Sequence, residues 1–262
     1  LIPYASADSV TQNKLDAILT TGKAASEDGL YDVAEKQLSF YLKKARKSRN
    51  QKQKKEAAIL LARAMYEQGR YKKILDVLSY RNKLTRGIPD CGAFVFWRAA
   101  AQYKLSEFDK ALACIGKAKE KYPDGEYIER IERLQAWCYL KTNKRDEALK
   151  IFADFDKTHG DSTEAPQNRL EWASALIDAG SLEQAEAVLA RLVKLPAEQK
   201  SVQNGYYLLG QTLIKEKKID AAITNLILLC SNEKAGNDLR AKAWHSLSGI
   251  YETRTNMEEA VN

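Results

Sequence analysis

Apolar and small positions recur along this chain on two spacings: a helical one inside segments of a dozen residues, and a longer one, close to 37 residues, between segments. The long spacing is marked by Ala34, Ile74, Ala111, Ala148, Ala185, Ala222 and Ala260, and twelve residues before each marker stand Gly22, Ala62, Ala99, Ala136, Ala173, Gly210 and Ser248. Two phased columns of mostly small side chains mean two helices in close approach in every unit, because helix axes come within about 8 Å only where no large side chain intervenes. Three residues before the markers stand Tyr31, Tyr71, Phe108, Arg145, Leu182, Ile219 and Met257, and four after them Leu38, Leu78, Ile115, Phe152, Leu189 and Leu226. Apart from Arg145, these trace the buried stripe of an amphipathic second helix. The turn between paired helices is expected on Gly29, Gly69, Ser106, Asn143 and Gly180, residues suited to a left-handed backbone, and then on Lys217 and Thr255.

The pattern predicts an all-α solenoid of about seven helical hairpins, the last truncated because only Val261 and Asn262 follow Ala260. A solenoid grows by adding units to one core, so residues 12–262 are expected to form a single domain. Residues 1–11 read as an N-terminal extension.

These columns resemble the tetratricopeptide repeat, a helix-turn-helix unit of about 34 residues. The third unit carries the resemblance best, with Ala99, Leu105, Phe108, Ala111, Ile115, Ala118 and Pro123 on motif positions, and Trp244, Leu247, Ser248 and Tyr251 repeat its first-helix signature. The departures are a period three residues longer, Arg98 and Gln135 in leucine places, and Glu132 and Arg169 in aromatic places. The resemblance implies a right-handed superhelix whose first helices line a concave groove, and a non-catalytic scaffold that binds a peptide or partner helix there. Groove columns then fall fifteen, eleven and eight residues before each marker. They are richest in units two to four, at Ile59, Arg63, Tyr66, Phe96, Tyr103, Arg133, Trp137 and Leu140, with Lys104 and Lys141 at the rim. Aromatic rings interleaved with arginine are the composition of binding hot spots. Trp97, one step around the helix, is expected in the core. The lysine and asparagine pair with which cochaperones of this family hold a partner's C-terminal carboxylate is missing, for its places read Leu19/Lys23, Ile59/Arg63, Phe96/Ala100 and Arg133/Trp137.

The string from Lys121 to Tyr127, Lys-Tyr-Pro-Asp-Gly-Glu-Tyr, resembles the junction between repeats of bacterial cell-envelope tetratricopeptide proteins, such as outer-membrane assembly lipoproteins and the Tol-Pal coordinator family, and residues 158–165 are a degraded version. Ala5-Ser6-Ala7 also matches a small-x-small leader-peptidase site. Both imply a periplasmic or envelope location, with the cytoplasm as the alternative. Cys91, Cys114, Cys138 and Cys230 show no CxxC pairing, so buried thiols are expected, a Cys114–Cys138 disulfide being the alternative in an oxidising compartment.

Composition changes little: 45% hydrophobic and 29% charged residues suit a helical protein, and no apolar run approaches the roughly 20 residues of a membrane span. His159 and His245 lack partners at metal-ligand spacing, and no phosphate loop or nucleophile motif occurs, so no enzyme, cofactor, metal or small-molecule substrate is expected. Charge is more informative. Between Tyr41 and Arg86, 15 Lys/Arg face only Glu56, Glu67 and Asp76, a net of +12 in a chain of +7, so the remainder is −5. The densest stretch holds Lys43, Lys44, Arg46, Lys47, Arg49, Lys52, Lys54 and Lys55. Its alternative functional reading is contact with an anionic surface: peripheral lipid, an acidic partner or, ranked below these, nucleic acid. A further alternative is a regulatory or assembly arm of a larger protein.

Overall fold

The computed structural model describes the backbone of residues 7–261 and the side chains of residues 13–255. The first seven helices are α1 (Ala7–Glu27), α2 (Tyr31–Lys44), α3 (Gln51–Glu67), α4 (Tyr71–Val77), α5 (Gly92–Lys104), α6 (Phe108–Lys121) and α7 (Ile128–Lys141). Six more follow: α8 (Arg145–Thr158), α9 (Ala165–Asp178), α10 (Leu182–Leu192), α11 (Lys200–Lys215), α12 (Ile219–Cys230) and α13 (Asn237–Val261). No strand occurs among the described residues. The chain divides between Thr142 and Asn143 into two compact units, one holding α1–α7 and the other α8–α13.

The phase read from the sequence is the phase of the helices. Every second helix starts on the column three residues before its marker: Tyr31, Tyr71, Phe108, Arg145, Leu182 and Ile219. The markers Ala34, Ile74, Ala111, Ala148, Ala185 and Ala222 are fully buried, as are Ala62, Ala99, Ala136 and Ala173 of the first-helix column. The two columns interlock. A Cβ added at Gly22 would lie 2.8 Å from Leu38 Cδ2, and one at Gly210 would lie 2.7 Å from Leu226 Cγ, so the first-helix glycine is the socket for the second-helix leucine. Ala260 and Met257 lie outside the described side chains.

The turns explain why the hairpins close tightly. Gly29, Gly69, Ser106, Asn143, Gly180 and Lys217 all have φ between 59° and 78°. One residue later the amides of Leu30, Arg70, Glu107, Ser181 and Lys218 donate to the carbonyls of Ala25, Met65, Gln102, Leu176 and Leu213 at 2.8–2.9 Å. This is the 6→1 bond that satisfies a helix C-terminus across a left-handed residue. The turn expected at Thr255 does not form: α13 continues to Val261, and the Thr255 hydroxyl donates to the Tyr251 carbonyl at 3.0 Å within the helix. Thr255 is β-branched, which disfavours the left-handed conformation that Ser106 and Lys217 accept, and the local sequence runs on as helix.

Two boundaries differ from the expected ones. Helix α1 begins at Ala7, inside the 1–11 stretch read as an extension, while Ala5 and Ser6 lie outside the described residues. Helix α4 stops after seven residues, and residues 78–91 form an irregular connection instead of completing the second helix.

The departures from the family pattern act as polar ties. Arg98 donates to the Leu78 carbonyl at 3.1 Å and to both oxygens of Asp90 at 3.0 and 3.1 Å, clasping both ends of the 78–91 connection. The Lys119 ammonium meets Glu132 at 3.2 Å and Gln135 Oε1 at 3.3 Å, joining α6 to α7. In the second unit Arg169 donates to Asp156 at 2.6 Å and to the Gly160 carbonyl at 2.9 Å, and Arg191 reaches the other Asp156 oxygen at 2.8 Å. Each polar residue replaces an apolar contact with a bond across a repeat junction.

Candidate partner-binding face

Helices α3, α5 and α7 are the first helices of units two, three and four, and each packs against the next within the N-terminal unit. They carry the expected groove residues. Arg63, Lys104 and Lys141 are exposed, while Ile59, Tyr66, Phe96, Tyr103, Arg133, Trp137 and Leu140 are half-buried. Ala100, in the same column as Arg63 and Trp137, is buried, so the face is closed at that point and open on either side.

The rings form a continuous run. Tyr66 meets Tyr71 edge-on at 5.4 Å and Trp97 at 5.4 Å, Trp97 meets Phe96 at 5.0 Å, and Phe96 meets Tyr127 at 5.5 Å. Tyr103 packs edge-on against Phe108 at 5.6 Å. These separations and tilts suit the ring quadrupoles, which disfavour a face-to-face sandwich. Trp97 is buried, as expected of a core residue. Cations sit against two of the rings: Lys104 Nζ lies 5.8 Å from the centre of Tyr66, and the Arg130 guanidinium 5.4 Å from that of Tyr127. Burial, with smaller contributions from neighbouring Tyr71, Glu67 and Tyr103, pushes the Tyr66 hydroxyl up to about 12, so it remains a neutral phenol. The arrangement offers aromatic edges, one phenol and fixed positive charge.

Three members of this face were missed in the sequence. Tyr71 and Tyr127 lie outside the groove columns, and Arg130 stands three residues beyond Tyr127. The junction string held the signal for Tyr127, since a tyrosine just before a first helix can fold back onto the preceding one.

The basic stretch is not one helix. Helix α2 ends at Lys44, Ala45–Lys47 form a 3₁₀ turn, and α3 begins at Gln51 behind an Asn50 cap whose side chain accepts from the Gln53 amide at 3.1 Å. Lys43, Lys44, Arg46, Lys47, Arg49 and Lys52 are exposed and Lys55 half-buried, but Lys54 is buried at 7% exposure and cannot present its charge to a surface. Its position on the inward face of α3, one turn before Ala57 and Ala58, explains the difference.

All four cysteines are free thiols, so no disulfide joins Cys114 to Cys138, and burial pushes the Cys138 thiol up to about 12. Among the described residues no group of three or more His, Cys, Asp or Glu is placed to hold a metal ion, and no helix is long and apolar enough to cross a membrane.

Comparison with known proteins agrees with this geometry. The family model "Tetratricopeptide repeat" matches residues 93–125 and 134–162, the third unit and most of the fourth. A tetratricopeptide repeat protein from Parabacteroides merdae superposes with a TM-score of 0.58 at 15% identity, over 95% of this chain and 90% of its own. The fold is that of the tetratricopeptide repeat. NprR, solved in complex with its cognate peptide NprX, gives a TM-score of 0.57 at 18% identity over 95% of this chain and 75% of its own. Human IFIT1, solved as a dimer with PPP-AAAA, gives 0.65 at 17% identity over 92% of this chain and 56% of its own. A comparison with curated proteins finds no match.

Proposed function

We propose that this chain is a non-catalytic scaffold that captures a peptide or partner helix across α3, α5 and α7. The observation that carries the reading is the set of half-buried rings on α3, on α5 and at the entry to α7, joined through the buried Trp97, with Arg63 one turn before Tyr66 and the exposed cations Lys104 and Arg130 against the rings. A half-buried ring held by its neighbours loses little entropy when a ligand covers its remaining edge, and a nearby cation adds charge recognition. The tetratricopeptide fold supports the reading, as does the likeness in fold to NprR, which was solved with a peptide bound. The partner chemistry that fits is a segment with apolar anchors and one or more carboxylates.

A displayed peptide library provides the test, with selected peptides measured against single variants. Arg63→Ala and Lys104→Ala remove exposed groups and should weaken binding about 5-fold or more with helicity unchanged. Trp137→Ala should cost about 2 kcal/mol of binding if it is an anchor. Peptides that bind all three variants as tightly as the parent would place the site elsewhere. The envelope location is a companion proposal that rests on the junction strings at residues 121–127 and 158–165. Fractionation of a tagged chain in a bacterial host tests it, and recovery wholly with cytoplasmic markers would remove it.

A further inference from the structure

The irregular connection 78–91 replaces the rest of a helix and carries exposed groups of one kind. Arg81, Lys83 and Arg86 are exposed, and Tyr80 is 78% exposed. Hairpins closed by three-residue turns run antiparallel, so the turns at 28–30, 68–70 and 105–107 lie at one end of the N-terminal unit. The connections 45–50 and 78–91 then lie at the other end.

One end of the unit therefore gathers the six exposed cations of residues 43–52 and the three of residues 79–86, with no acidic residue in either stretch. The carboxylates nearest in sequence are engaged. Asp76 accepts from Asn82 at 3.1 Å, Asp90 is held by Arg98, and Glu56 is paired with Lys23 at 2.6 Å. The connection 122–127 reaches the same end and adds the exposed acids Asp124 and Glu126, and Asp76 keeps its charge against the neutral Asn82, so the nine cations are offset only in part.

We propose that this end of the N-terminal unit docks on an anionic phospholipid surface. The end of α2 and the connection 78–91 each supply an exposed aromatic ring that carries its own cation. Phe40 is 45% exposed with Lys44 Nζ 5.4 Å from its centre, and Tyr80 has the Arg81 guanidinium 5.2 Å from its centre and accepts from Arg81 Nε at 2.7 Å. An aromatic body beside a charged head is the pairing that settles at the headgroup level of a bilayer. Nucleic acid would be served instead by successive open ring faces along a groove. Here there are two separate rings, each with a cation over it. Phosphodiester headgroups need no such succession, and each cation near an anionic surface adds to the attraction.

The test is sedimentation of the full chain with vesicles of phosphatidylcholine alone, or of phosphatidylcholine with phosphatidylglycerol, at low and high salt. Binding is expected only to the anionic vesicles and should weaken as salt rises. The triple variant Arg81→Gln, Lys83→Gln, Arg86→Gln should lower it at least ~10-fold, with helicity retained because all three side chains are exposed. Phe40→Ala with Tyr80→Ala should lower it while leaving the salt dependence unchanged, and Arg63→Ala should have no effect. The proposal is overturned by equal sedimentation with both vesicle types, by a triple variant that binds like the parent, or by a single-stranded oligonucleotide bound more tightly than the vesicles.

Discussion

A glycine inside a helix of this protein is either a socket or a gap, and the two respond oppositely to a methyl group. At Gly210 the added Cβ would stand 2.7 Å from Leu226 Cγ and Cδ2, and Leu226 is fully buried. Overpacking of this kind costs about 1–3 kcal/mol, which outweighs the roughly 1 kcal/mol that alanine's better helix propensity returns. At Gly116, inside α6, no neighbouring atom lies within 4 Å of the added carbon, so only the propensity remains. Urea unfolding should show a lower midpoint for Gly210→Ala and a higher one, by about 0.5–1 kcal/mol, for Gly116→Ala. Equal shifts would mean that the small column is compositional and makes no contact. The sequence already distinguished the two glycines, because Gly210 stands on a phased column and Gly116 does not. What it could not supply was the identity of the atom filling the socket. Lys217 shows the reverse limit: nothing in a lysine announces a left-handed turn, yet the geometry of the hairpin imposes φ 60° on it.

Element boundaries fall where a column and a turn residue agree, and six second helices begin on the column that follows the turn. They were illegible where a polar side chain does the work of an apolar one. Arg98 reads from the sequence as a flaw in a leucine column, but with the Leu78 carbonyl and Asp90 in its grasp it holds the 78–91 connection against α5. The groove face was legible in part for the same reason. Its columns follow helix periodicity, whereas Tyr127 and Arg130 arrive from a junction that has none. Arg98→Leu tests this account of the departures. It restores the family residue and a good helix former, so α5 should persist, but both ends of the connection lose their tie. Amide hydrogen exchange should accelerate across residues 78–91 while the amides of α5 and α6 stay protected. Unchanged protection of the connection would show that the packing of Leu84 and Ile88 alone fixes it.

At the scale of the whole chain, charge and cohesion are both distributed by unit. Residues up to Thr142 sum to +10 and those from Asn143 to −3, from 27 Lys/Arg against 17 acids and 15 against 18. Stability in a repeat fold is close to a sum of neighbour terms, so a broken tie should be felt near its own repeats. Asp156 makes the strictest case. Its side chain is 5% exposed, and its two oxygens are taken by Arg169, itself 13% exposed, and Arg191. Removing the carboxylate leaves the Arg169 guanidinium half-satisfied away from water, a change that costs about 3 kcal/mol when one member of a buried pair is lost. Asp156→Ala should therefore speed hydrogen exchange in α8, α9 and α10, which those bonds join, and leave α1 to α3 at parental protection. Uniform acceleration over all thirteen helices would mean that the chain unfolds as one cooperative body, and additive neighbour terms would then fail to describe it.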